Sequence, residues 1–213
     1  MRRWTPLPET ADELCEIARR LVVPDSEILL GSRATEAALK DMSEKGRLAD
    51  YAILHFATHG ALTGQVERLA EPGLVLTPQP RGTSDARALE RDDGFLTASE
   101  IATLKLDADW VILSACNTAG ASGETAEPLS GMARAFFYAG ARALLVSHWE
   151  VGSDAAVKLT TRAFVEMTAN PKLGRAEAFR VSMRALIEKG SAIEAHPSQW
   201  APFVVVGEGA AVR

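Results

Sequence analysis

The sequence predicts an α/β fold: a mostly parallel sheet with helices on both faces, in three α-β-α layers. Three observations predict it. Short apolar runs rich in β-branched or aromatic residues recur along the chain, each bounded by turn residues. Stretches of helical periodicity with start and stop signals separate them. Two of the runs also end just before a reactive side chain, which is where the strands of an open parallel sheet deliver their ligand-binding residues.

In chain order, Thr10-Ala-Asp-Glu13 has the pattern of a capping box. It opens a helix to about Leu21 with Leu14, Ile17, Ala18 and Leu21 on one face. Cys15 falls inside this helix and reads as a small buried hydrophobe. Pro24-Asp25 turns the chain into a short strand, Glu27–Leu30. A second helix spans Thr35 to Lys45 and stops at Gly46. The strand Tyr51–Phe56 follows, then Gly73–Thr77, and a hairpin joining these two would place an antiparallel pair at one edge. Residues 78–93 are polar, contain proline and glycine, and read as a mobile loop of the kind that often carries function.

A second capping box, Thr97-Ala-Ser-Glu100, precedes a short helix. The strand Trp110–Ala115 comes next, then a small-residue loop, Asn117–Glu127. Pro128 and Gly140 frame another helix. Strand Ala141–Ser147, helices Ser153–Met167 and Arg175–Lys189, a turn at His196-Pro197 and strand Pro202–Val206 complete the pattern. No repeat interrupts it, and the whole chain, 1–213, reads as one domain.

Composition narrows the function. The 213 residues are 47% hydrophobic and carry a net charge of −5, enough apolar material for a core and no electrostatic case for nucleic acid or an anionic membrane. No apolar run approaches the ~18 residues of a membrane span. The first residues, Met-Arg-Arg-Trp-Thr-Pro, lack the apolar stretch of a signal peptide, so a cytoplasmic protein is expected. Two cysteines, Cys15 and Cys116, are too few for a disulfide framework or a cysteine zinc site. Gly120-Ala-Ser-Gly123 lacks the lysine and spacing of a phosphate loop, and His55 and His59 lack the glutamate of a helical zinc motif. The sequence therefore calls for no cofactor and no metal.

The chemistry centres on His59 and Cys116. His59 follows the strand ending at Phe56, and Cys116 follows the strand beginning at Trp110. If the two strands are parallel neighbours, thiol and imidazole emerge at one sheet edge, the minimum apparatus for acyl transfer. A lone cysteine at a strand end is ordinarily a packed apolar residue, and a lone histidine there an ordinary turn residue; the pairing is what raises both. A helix N-terminus near Cys116 would favour the thiolate, and histidine suits proton transfer near neutral pH. Gly60 leaves its backbone N–H unshielded, so the N–H groups of Gly60 and Cys116 are candidate oxyanion-hole donors.

Candidate substrate contacts are Asn117 beside the thiol, His148 just past Ser147, Glu150 and Asp154 beyond it, and Asp93, with Asp92, from the loop. For the acids the ordinary alternative is a solvated surface charge, and for His148 it is packing. His55 shares a strand face with Tyr51 and reads as a buried, hydrogen-bonded histidine supporting His59 from behind.

Four motifs then carry a resemblance: His55-Phe-Ala-Thr-His59-Gly60, Gly94-Phe-Leu-Thr-Ala-Ser-Glu-Ile101, Leu113-Ser-Ala-Cys116-Asn-Thr and His196-Pro-Ser-Gln-Trp-Ala-Pro-Phe203. In this order they resemble a CHAT domain, a caspase-like domain related to separases and often fused to tetratricopeptide repeats. The likeness runs from about Leu7 to Gly207. It implies a caspase-like fold and a cysteine endopeptidase acting on a specific protein through a thioester, with His59 and Cys116 as catalytic dyad. The alternative is a catalytically silent or partner-gated scaffold on the same fold.

CHAT domains usually carry a further strand-containing segment before the point matching Leu7. The resemblance thus implies that this chain lacks its N-terminal segment and that an activating or sheet-completing protein partner, such as a tetratricopeptide-repeat region, adjoins it. Relatives that cleave after basic residues often have an acid beside the nucleophile. Ser114-Ala115 stand there in this chain, so specificity for Arg or Lys is not implied.

Overall fold

A computed structural model describes residues 7–61, 70–78, 92–114, 130–149 and 151–210. The predicted loop 78–93 lies outside them except at its two ends, as does Pro128. The helices are α1 (Pro8–Leu21), α2 (Glu36–Glu44), α3 (Ala98–Ile101), α4 (Ser130–Ala139), α5 (Ser153–Ala169), α6 (Arg175–Lys189) and α7 (Pro197–Trp200). The strands are β1 (Ile53–Phe56), β2 (Gly60–Ala61), β3 (Gly73–Val75), β4 (Phe95–Thr97), β5 (Trp110–Leu113), β6 (Ala143–Ser147) and β7 (Phe203–Gly207).

Alternation along the strands builds the layers. Successive side chains of a strand point to opposite faces, so the continuous apolar run of β5 needs cover on both. Val111 and Leu113 of β5, with Leu144 and Val146 of β6, pack on one face against α2, α4 and the small sheet. Trp110 and Ile112, with Ala143 and Leu145, pack on the other against α1, α5 and α6. The result is the predicted three-layer α/β arrangement. Tilted aromatic contacts bind the layers together, with Phe56 5.6 Å from Phe136 and Trp110 5.5 Å from Phe164 between ring centroids.

The central sheet has the order β1-β5-β6-β7 among the described residues. β1 is parallel to β5 and β5 to β6, while β7 is antiparallel to β6. A hairpin between the first strand and Gly73–Thr77 does not form. Having paired with β5, the chain turns at Ala57-Thr58, and the two-residue β2 instead pairs antiparallel with β3, which pairs with β4. This second small sheet was not predicted, because its strands are too short to show a period. The antiparallel edge of the central sheet is β7.

Other expectations are corrected locally. The capping box at Thr10 is absent: Pro8 occupies the first turn, where its missing N–H costs nothing, and Thr10 Oγ1 donates to the Leu7 carbonyl at 2.6 Å. Glu27–Leu30 is no strand. Residues Asp25–Glu27 and Gly31–Arg33 form 3₁₀ turns whose local bonds, such as Ile28 N–H to the Asp25 carbonyl, take backbone groups that a ladder would need. Cys15 is half-buried rather than buried. His196 does not simply turn the chain: it caps α7, its Nδ1 accepting from the Ser198 N–H at 3.2 Å. The capping box of Thr97 with Glu100 forms as read, while Thr35, read as the start of the second helix, is its N-cap.

Gly140 ends α4 with φ of 113°, and a Cβ there would lie 2.2 Å from the Leu106 carbonyl oxygen. Both the backbone angle and the space exclude a side chain. Gly140→Ala is therefore expected to destabilise the fold by about 2 kcal/mol or more, read as a lowered urea midpoint with an unchanged slope.

Candidate active site

The three parallel strands end together, at Phe56, Leu113 and Ser147, and His59 and His148 lie at that carboxyl edge. His59 lies three residues past β1 and is half-buried. The small sheet holds it there. The His59 carbonyl accepts the Val75 N–H at 2.8 Å, and the neighbouring Thr58 hydroxyl donates to the Val75 carbonyl. Gly60 is buried opposite Leu74. Because the Val75 bond goes to the residue before it, Gly60 occupies a non-hydrogen-bonded position of the ladder, and its N–H points away from β3.

β1 and β5 run in one register: Ile53 lies against Trp110, Leu54 against Val111, His55 against Ile112 and Phe56 against Leu113, each pair 57 positions apart. Cys116 is likewise 57 positions after His59. Cys116 itself, with Asn117 and Glu150, lies outside the described residues; β5 can be followed to Ser114.

His148 follows β6 at the same edge, half-buried, its N–H donating to the Pro202 carbonyl at 2.9 Å. The acids are placed differently. Asp93 is exposed and closes a turn, its Oδ1 accepting the Phe95 N–H at 2.8 Å. Asp92 is buried rather than solvated. Asp154 is exposed in the first turn of α5, where its charge acts on Lys158 of the next turn. A groove of about 460 Å³ runs between α1, α5 and α6, and none of the predicted site residues among the described ones lines it. No cluster of metal-ligating side chains occurs among the described residues, and no described helix is long and apolar enough to cross a membrane.

Behind the edge lies a polar cluster in the layer facing α1 and α5. The Glu13 side chain is 1% exposed and that of His55 8%. His55 Nε2 is 3.2 Å from Glu13 Oε1 and 3.0 Å from Ser114 Oγ. Ser114 Oγ donates to Glu13 Oε2 at 3.3 Å, and Thr160 Oγ1 to Glu13 Oε1 at 2.6 Å. Serine, histidine and glutamate together suggest a hydrolytic triad, but the wiring differs. In a triad the acid orients one ring nitrogen while the other faces the serine. Here Glu13 and Ser114 share Nε2, and Nδ1 is buried with no hydrogen-bond partner among the described residues. The serine proton is also directed at the acid. The cluster is therefore not wired as a hydrolytic triad.

The signature described as the CHAT domain matches residues 2–208, nearly the whole chain. The chain belongs to the CHAT domain family. That family is a caspase-like peptidase family. The chain is also similar to tetratricopeptide repeat protein 28, 28% identical over 237 residues to the protein of Mus musculus and 27% over 232 to that of Homo sapiens. Each alignment covers 96% of this chain but only 9% and 8% of the relative.

Three of the four motifs of this CHAT domain have visible structural work. His55 to Gly60 gives β1, the polar cluster and the His59 turn. Gly94 to Ile101 gives β4 and the capped α3; the buried Glu36 carboxylate accepts the Gly94 N–H at 2.8 Å. His196 to Phe203 gives α7 and the start of β7, and the Ser198 carbonyl accepts the indole N–H of Trp149 at 3.1 Å. Trp149, 44% exposed beside His148, was missed as a candidate substrate contact, since an aromatic past a strand end reads as packing. Glu13 was missed because Thr10 seemed to account for it. Its spacing from Ile17, inside the apolar stripe of α1, was the available signal.

Burial raises the Glu13 carboxyl, but the His55 charge and the hydrogen bonds from His55, Thr160 and Ser114 outweigh it, so its pKa lies below the usual 4.5. Such a depressed acid contributes stability that is fully present above about pH 4.5 and is lost as the pH falls through the lower folded value. Glu13→Gln is therefore expected to be about 1–3 kcal/mol less stable than the parent at neutral pH. The gap should narrow on acidification, as measured by urea unfolding between pH 7 and pH 3. A gap constant across that range would contradict the ionised assignment.

Proposed function

We propose that this CHAT domain is a cysteine endopeptidase that cleaves a specific protein through Cys116 and His59. The observation that carries the proposal is the parallel pairing of β1 with β5, whose constant offset equals the separation of His59 from Cys116. Both residues lie three positions past the paired strand ends, which favours thiol and imidazole as neighbours at one edge.

The reaction follows from the two groups. The Cys116 sulfur, as thiolate, attacks the carbonyl carbon of the scissile peptide bond, and the carbonyl electrons move to its oxygen. Protons aimed at that oxygen stabilise it, and the Gly60 N–H, turned away from β3, is a fitting donor together with the N–H of Cys116. As the intermediate collapses, the carbon–nitrogen bond breaks and His59 gives its proton to the leaving amine. The product is a thioester on Cys116. Water, deprotonated by His59, attacks the thioester carbon, releases the new carboxyl terminus and returns the thiol. No cofactor is needed.

His148 and Trp149 suit the substrate side of the cleft, both just past β6; Glu150 follows them in sequence, and Asn117 follows Cys116. Asp93 and Asp154 are poorer candidates, because one closes a turn and the other acts on Lys158. As partner, a tetratricopeptide-repeat region is favoured, since the relatives bear that name and β1 pairs with β5 alone among the described residues.

Labelling with a library of peptidyl acyloxymethyl ketones tests the reading. Cys116 is expected to be labelled and Cys15 spared. Cys116→Ala should abolish labelling, and His59→Ala should slow it by roughly 10²-fold or more, within the range of general acid–base catalysis. Equal, slow labelling of both cysteines in the folded protein would favour the scaffold reading instead.

A further inference from the structure

We propose that Glu13, His55 and Ser114 form a positioning brace for the nucleophile, through which α1 sets the reactivity of Cys116. The inference rests on the peptidase reading above and adds three residues that touch neither substrate nor reacting atoms.

The geometry makes the case. Ser114 is the last described residue of the segment that leads to Cys116, two positions before it in sequence. Its hydroxyl is held from two sides, by His55 of β1 and Glu13 of α1. The brace thus ties the carboxyl ends of the two strands that carry the dyad to each other and to a third element. Thr160 anchors the same carboxylate to α5. His59 is fixed separately by the small sheet. With His59 pinned on one side, whatever fixes Ser114 governs how the sulfur meets the imidazole.

A purely structural explanation fits less well. A buried ion pair contributes little net stability compared with apolar residues of similar volume, and this site lies between Ile17, Ile53 and Ile112, where apolar side chains would pack. His55 Nδ1, buried with no hydrogen-bond partner among the described residues, adds a cost that a core built for stability alone would avoid. What the cluster supplies is direction: three donors converge on one carboxylate, and each is on a different element. The titratable group facing Glu13 is His55 on β1; β5 and α5 present only the hydroxyls of Ser114 and Thr160.

The test measures the second-order rate of iodoacetamide modification at Cys116 by peptide mapping, with Cys15 of the same chain as internal reference. In the full chain, Ser114→Ala and Glu13→Gln are expected to slow Cys116 roughly 10–100-fold, the cost of a small misplacement of a reacting group. The Cys15 rate should stay unchanged in Ser114→Ala. Ser114→Thr, which keeps the hydroxyl, should restore most of the Cys116 rate, a rescue that loss of packing would not show. If Glu13→Gln fails to fold, Ser114→Ala decides the question, since it removes a single oxygen.

Folded Ser114→Ala with a parental Cys116 rate would overturn the brace. If that variant keeps its rate while His59→Ala loses it, the brace fails and the peptidase reading stands. If the parent Cys116 reacts no faster than Cys15 and ignores His59→Ala, the peptidase reading falls and the brace falls with it.

Discussion

The parallel register between β1 and β5 is the constraint on which the rest of the molecule depends. A strand buried along its whole length, such as β5, and a half-buried partner far away in sequence, β1, have few ways to pair. A slip of one residue would send Val111 and Leu113 to the α1 side, and Trp110 and Ile112 to the α4 side. The core admits one register, and that register sets the carboxyl ends of β1 and β5 side by side. Packing energy spent on the core therefore also sets the geometry of the edge. The same alternation turns His55 and Ser114 to the α1 face, where an acid from α1 meets them.

Around that pair the molecule divides its labour. The small sheet fixes His59 through backbone bonds, and the Glu13 carboxylate fixes Ser114 through side-chain bonds. The segment from His196 to Phe203 supports Trp149 and begins β7 at the same edge. The first and last of the four motifs, far apart in the chain, meet at one edge because β1 ends there and the antiparallel β7 begins there.

Much of the fold was legible in the sequence. Long amphipathic helices such as Arg175–Lys189 and continuous apolar strands such as Trp110–Leu113 announce themselves through period and composition. Elements of two or three residues do not, which is why β2, β3 and β4 were not seen as a second sheet and a hairpin was expected in their place. Glu27–Leu30 has strand-like side chains but spends its backbone bonds on local turns. At the site, His59, Gly60 and His148 were placed at the sheet edge by reading the ends of strands. Glu13 escaped because the apolar stripe of α1 signals only its burial, while its partner His55 lies more than forty positions away.

The central claim, that imidazole 59 and sulfur 116 face one another across an open crevice, is most directly tested by a crystal structure of the chain acylated by a peptidyl inhibitor. The account predicts inhibitor bonded to the Cys116 sulfur, with the His59 ring about 3–4 Å from the position of the leaving amine. A His59 ring turned away from the acylated sulfur, or a Cys116 sealed in the core and left unmodified, would contradict it.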